Sequence, residues 1–152
     1  MGRISRDDQS NLININEHRL QAVCASMTGR KLAVIGDVML DRYLLGRVGR
    51  LSPEAPVPVI NLDDDQVRLG GASNVARNVR ALGGDPLLIG VVGDDGSGRQ
   101  VIDLIREGGL SPEGILTDST RPTTVKTRII AHAQHVARVD RESRAPLSPE
   151  LV

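Results

Sequence analysis

Hydrophobic positions along the chain change period several times. Lys31 to Ile35 (KLAVI) and Pro86 to Val92 are short continuous apolar runs, the pattern of strands buried on both faces. Between them Ala72, Val75, Ala76, Val79 and Leu82 recur at helical spacing, with Arg77 and Arg80 on the opposite side, which predicts an amphipathic helix closed by Gly83-Gly84. A Gly93-Asp94-Asp95-Gly96 turn follows the second run, and Val101, Ile102 and Ile105 mark another helix ended by Gly108-Gly109. Thr123 to Ala131 alternates, with Thr124, Lys126, Arg128 and Ile130 on one face, and predicts a hairpin with Val136 to Asp140. From Tyr43 to Leu62 the chain holds Pro53, Pro56 and Pro58 among Val and Ile, so it reads as extended strands outside the main sheet.

Recurring strand, turn and helix units predict an α/β fold: a doubly wound, mostly parallel sheet with its ligand crevice at the carboxyl ends of the strands. Residues 1–29 read as an arm plus a helix over Glu17 to Met27, and residues 30–152 as the α/β part. Ser148-Pro149-Glu150 is a helix start two residues from the end of the sequence, so the chain reads as a fragment of a larger domain.

Composition narrows the function. Nineteen basic residues balance nineteen acidic ones, and one Tyr is the whole aromatic content of the 152 residues. A nucleic-acid surface needs a basic excess and stacking platforms, so that partner is not expected. No apolar run approaches the roughly 20 residues of a membrane span. With one cysteine, Cys24, and no secretion signal in the polar start, a cytoplasmic protein is expected. His132 and His135 would fall on opposite faces of a strand, without a third ligand nearby, so no metal site is expected. Asp63-Asp64-Asp65 reads as a solvated turn.

Two segments could carry chemistry. Gly36 to Asp41 (GDVMLD) follows the first strand and places Asp37 and Asp41 at the crevice, where they either cap a turn or accept hydrogen bonds from a ligand. Gly70-Gly71-Ala72-Ser73-Asn74 puts two residues without side chains at a helix start. That arrangement serves either close packing or the approach of backbone donors and Asn74 to a polyhydroxyl ligand.

The stretch GGASNVARNVRALGGDPLLIGVVG, Gly70 to Gly93, resembles the first signature of the PfkB, or ribokinase-like, carbohydrate kinases. GDVMLDRY, LSPEAPVPV, RPTTVKTRIIA and RVDRE around it look like the branch acting on D-glycero-β-D-manno-heptose 7-phosphate. The resemblance covers about residues 30 to 145, the first half of such a domain. It implies a small β lid from segments near 43–62 and 123–140, which in this family is commonly a homodimer interface. It also implies a sugar phosphate substrate, with Asp41, Gly70, Gly71 and Asn74 contacting the sugar. Charge and place add Lys126 and Arg128 as partners for its phosphate. ATP and Mg2+ are the implied cofactors, and phosphorylation of the anomeric hydroxyl, on the route to ADP-heptose and lipopolysaccharide core, is the implied reaction. The family's Gly-Ala-Gly-Asp segment, which supplies the catalytic base, does not occur in this sequence, so no catalytic residue is assigned. A noncatalytic sugar-phosphate-binding half, an inert truncated half-domain and a ribokinase- or fructokinase-type sugar kinase are the competing expectations.

Overall fold

The structure, a computed structural model, describes residues 16–151; the predicted arm at 1–15 lies outside them. Helix α1 (Glu17–Met27) is capped by Asn16, whose side chain accepts from the Arg19 amide, and it buries none of its residues. The parallel sheet has three strands in the order β1 (Lys31–Ile35), β4 (Asp85–Gly93), β5 (Ile115–Asp118). Helices α2 (Ala72–Ala81) and α3 (Gly96–Glu107) complete the α/β part. A second, four-stranded sheet forms the lid, in the order β3 (Pro58–Gly71), β2 (Val38–Leu51), β6 (Thr124–Ala131), β7 (Gln134–Arg141).

The lid strands are longer than the proline-rich segment suggests: β2 and β3 each run 14 residues and reach back to Val38 and Gly71 at the crevice. The prolines fall where no ladder amide is required: Pro53 and Pro56 in the connecting loop, Pro58 at the first position of β3. Strand β2 pairs antiparallel with β3 and parallel with β6. Everything from α2 to β5 therefore forms a crossover between the two halves of the lid. The core sits where lid and sheet meet. Val38 and Leu40 of β2 and Leu69 of β3 pack with Leu88 and Val92 of β4 and with Ala76, Val101 and Ile105 of the helices.

Several expectations change in tertiary context. β1, expected as a buried central strand, is an edge strand with an alternating pattern of exposure, because β4 is its only bonded neighbour among the described residues. Ala76 of α2 is sealed, while Val75 on the same helix and Leu82 at its C-cap are half exposed. Asp63 to Asp65 lie inside β3 rather than in a turn, and Asp63 and Asp65 pair with Arg47 and Arg42 on the neighbouring strand. These pairs are exposed and solvent-screened, so they add little to stability.

His132 is not in a strand. With Ala133 it forms the two-residue turn between β6 and β7, at φ 51° and 62°. Left-handed backbone at both positions is the hairpin turn that Asn-Gly adopts readily, and for other residues it costs about 1 kcal/mol or more each. The double change His132→Asn with Ala133→Gly is therefore expected to raise stability by about 1 kcal/mol, read as a higher urea midpoint at unchanged slope.

Candidate functional site

Strand β2 leaves β1 through Gly36-Asp37 and alternates. Val38 and Leu40 face the core, so Met39, Asp41 and Tyr43 face the other way. Register fills in that second face. Asp41 lies opposite Arg68 on β3 and Lys126 on β6, and Tyr43 lies opposite Gln66 and Arg128. The Arg128 Nη1 donates to Asp41 Oδ1 at 2.5 Å, and both side chains are about four-fifths buried, at 23% and 20% exposure. That hydrogen bond raises the Arg128 guanidinium further above its usual range, against the opposing effect of burial. The Arg128 and Arg68 guanidinium carbons lie 5.3 and 5.4 Å from the centre of the Tyr43 ring, so the one aromatic side chain steadies two cations.

Gly70 makes room for Asp41. A Cβ there would stand 2.4 Å from Asp41 Oδ2 and 3.0 Å from Met39 Cγ, so any side chain would evict the carboxylate. Gly71 answers a different need. Its φ of 58° and ψ of −135° turn the chain from β3 into α2, and its α-carbon is pressed so close to Asp37 that a Cβ would lie 2.2 Å from the carbonyl oxygen. The Ala72 amide then donates to that carbonyl at 2.8 Å, and the Ser73 hydroxyl donates to the Gly70 carbonyl at 2.6 Å. Asn74 follows on the first turn of α2, exposed.

Lys126 stands one row nearer the crevice than Arg128. Its Nζ is 3.5 Å from Asp140 and 3.3 Å from Glu142. Arg144 first, and Lys126 with it, hold the Glu142 carboxyl below the usual carboxylate range. Beside this group opens a cavity of about 630 Å3, in which Lys126, Glu142 and Asp37 supply polar lining and Ile35, Ile89 and Leu116 an apolar floor.

The structure thus brings Asp41, Gly70 and Arg128 into direct contact and sets Gly71 and Asn74 beside them along the chain. Of the six residues expected to hold the sugar phosphate, Lys126 alone lines the cavity, where it is joined by Asp37 of the GDVMLD segment. Tyr43, Arg68, Asp140 and Glu142 were not singled out as site residues. The period-two spacing of Met39, Asp41 and Tyr43 points to Tyr43, whereas Arg68 becomes visible only through the β2–β3 register. Among the described residues no cluster of three His, Cys, Asp or Glu could hold a metal ion. The carboxylates of Asp41, Asp140 and Glu142 are each taken up by a basic side chain, the first by Arg128 and the other two by Lys126, an arrangement that does not fit Mg2+.

Comparison with known proteins gives this geometry a family. Residues 29–152 match the pfkB family of carbohydrate kinases. The chain belongs to that family. It is 49% identical over 122 residues to the bifunctional protein HldE of Helicobacter pylori strain G27, and 47% identical over 118 residues to the protein of the same name from Pelobacter propionicus. These alignments cover 80% and 78% of this chain but 26% and 24% of the relatives, so the chain spans about a quarter of their length. A putative ribokinase from Agrobacterium tumefaciens superposes with a TM-score of 0.62 at 22% identity, covering 80% of this chain and 41% of that one. Arabidopsis thaliana ribokinase, solved with ribose and ATP, gives 0.59 at 17% identity, covering 74% and 36%. The fold is ribokinase-like, and this pfkB chain holds part of it. No helix among the described residues is long and apolar enough to cross a membrane.

Proposed function

We propose that this pfkB chain is the acceptor-holding part of a kinase for D-glycero-β-D-manno-heptose 7-phosphate. The observation that carries the reading is the Asp41–Arg128 pair seated over Gly70, beside the glycine-opened start of α2. It places a carboxylate, a cation and a helix N-terminus within one small region of the crevice. A sugar offers hydroxyls to the first and last of these and, when phosphorylated, an anion to the second. Asp41, Asn74 and the backbone at Gly70-Gly71 hold hydroxyls. Arg128 and Lys126 neutralise the phosphate, with Asp41 and the Tyr43 ring keeping the Arg128 guanidinium in place. The HldE relatives support a heptose over a pentose or hexose. In the complete enzyme the accepted sugar receives a phosphoryl group from ATP at its anomeric hydroxyl. This chain's residues bind and orient that acceptor. A homodimer through the lid belongs to the same reading, with Val136 and Val139 on β7 as its exposed apolar residues.

Titration calorimetry of the chain with heptose 7-phosphate, ribose and fructose tests it. Binding is expected for the phosphorylated heptose. Asp41→Ala is expected to weaken it at least tenfold, since a charge-assisted hydrogen bond contributes about 1.5–3 kcal/mol. Arg128→Ala should cost more for the phosphorylated sugar than for a free one. Equal affinity in the Asp41→Ala protein would overturn the assignment.

A further inference from the structure

Strand register sets the charged side chains of the lid in rows on the face that carries Asp41. One row runs Arg68, Asp41, Lys126, Asp140 across β3, β2, β6 and β7, and the next runs Gln66, Tyr43, Arg128, Arg138. Residues opposite one another on paired strands share a face, so these side chains are neighbours. The cations on β6 and β7 each meet a carboxylate: Lys126 meets Asp140 and Glu142, Arg128 meets Asp41, and Arg138 Nε lies 3.0 Å from Asp140 Oδ1. Arg68 is the exception. Among the described residues it makes no ion pair, and its Nη2 donates instead to the neutral Gln66 Oε1 at 2.8 Å.

The Arg68 guanidinium is nonetheless held in place. Gln66 Nε2 donates to Asp64 Oδ2 at 2.8 Å, which turns the amide oxygen of Gln66 toward Arg68. The Tyr43 ring centre lies 5.4 Å from the guanidinium carbon on another side. A long, exposed side chain steadied in this way keeps its whole charge, and an incoming anion finds part of its ordering cost already met.

We propose that Arg68 is the residue that selects a phosphorylated sugar over a free one, its guanidinium forking onto the phosphate of an acceptor whose hydroxyls Asp41 holds. The inference deepens the sugar-phosphate reading above and rests on it. A phosphate monoester carries close to two negative charges at neutral pH. Lys126 and Arg128 reach it with their own acids attached, so their charge is already balanced before the ligand arrives. Arg68 supplies the unbalanced cation, in the planar geometry that matches a phosphate bidentately. Its place fits as well. Arg68 stands directly opposite Asp41 on the neighbouring strand, where β-carbons are about 5 Å apart. A heptopyranose whose ring hydroxyls meet Asp41 can therefore extend its two exocyclic carbons and their phosphate toward Arg68.

Titration calorimetry of the full chain, Arg68→Gln and Gln66→Glu tests this, with heptose 7-phosphate, free heptose and ribose 5-phosphate as ligands. Arg68→Gln is expected to lose about tenfold or more in affinity for heptose 7-phosphate and to keep the parent's affinity for free heptose. Gln66→Glu leaves the guanidinium intact but sets a carboxylate against it, and should weaken binding of the phosphorylated sugar alone. Urea midpoints of Arg68→Gln and the parent should agree, and raised salt should narrow the gap in affinity between them. A parent chain that favours ribose 5-phosphate, with the preference lost in Arg68→Gln, would remove the heptose and leave the role of Arg68 standing. If Arg68→Gln binds heptose 7-phosphate as tightly as the parent while Asp41→Ala does not, the sugar reading survives and the role of Arg68 is overturned. Equal losses for free and phosphorylated heptose, or a parent chain with no preference for phosphorylated sugars, would overturn it too.

Discussion

Gly70→Ala is expected to leave the protein folded and to cost it at least tenfold in affinity for heptose 7-phosphate. The new Cβ would come within 2.4 Å of Asp41 Oδ2 and 2.9 Å of Asp41 Cγ. An aspartate is too short to bend around that contact. It must rotate away, and the Arg128 hydrogen bond goes with it. No positive φ is found at Gly70, unlike Gly71, so alanine brings no backbone strain, and the change in urea midpoint should be small. Gly71→Ala is the contrasting variant. It combines φ 58° with a 2.2 Å clash against the Asp37 carbonyl, and left-handed or rarer backbone alone costs about 1–3 kcal/mol. Affinity lost without stability at Gly70, and stability lost at Gly71, would separate the two roles. If Gly70→Ala binds sugar as tightly as the parent chain, the Asp41 carboxylate does not hold it.

The second large effect is expected at Asp95. Its carboxylate caps α3 by accepting from the Gly98 amide at 2.8 Å, and it also accepts from the Thr123 hydroxyl at 2.7 Å and the Thr123 amide at 3.1 Å. Arg141, at the end of β7, stands 3.6 Å away. The Gly93 amide in turn donates to the Thr123 hydroxyl at 2.8 Å. One carboxylate therefore ties the end of β4, the start of α3 and the base of the β6–β7 hairpin together. Asp95→Ala removes the cap and strands buried Thr123, so a loss of about 2–4 kcal/mol is expected, read from urea unfolding. Amide exchange over Thr123 to Lys126 should quicken with it, because Thr123 is where the lid strand is pinned.

The same residue sets a pH dependence. Burial alone would push the Asp95 carboxyl up, but the Thr123 and Gly98 hydrogen bonds, with Arg141, outweigh it and hold it below its ordinary value. A carboxyl lowered in the folded state binds its proton more readily once the chain unfolds. Its contribution is complete above the unfolded value of about 3.9 and is lost as pH falls through the lower folded value. Asp95→Asn is expected to be less stable at neutral pH and to show a shallower loss of stability below about pH 4 than the parent chain. An unchanged acid limb would show that the carboxylate is not ionised in its bonds.

Much of this molecule is local and therefore readable in the chain. The continuous apolar runs, the helices between glycine pairs and the alternation over Thr124 to Ile130 each follow from side chains a few residues apart. Asp41, Gly70 and Arg128 could each be nominated in the same way. Their association could not, since Arg128 is 87 positions from Asp41 and the two meet only because β6 pairs parallel to β2. The Asp63 to Asp65 run misleads for the same reason. It reads as a solvated turn until a partner strand presents Arg42 and Arg47.

Neighbouring side chains write the periodicity that sets the elements, and the glycines at 70 and 71 and the acid at 41, which give the chemical kind of the site, are legible without a partner. Tertiary structure alone decided which charges neutralise one another, that Tyr43 is held between two arginines, and that one of them, Arg68, pairs with no acid among the described residues. Those depend on strand register and on layers packed across long separations, where a shift of one residue would send every side chain to the opposite face.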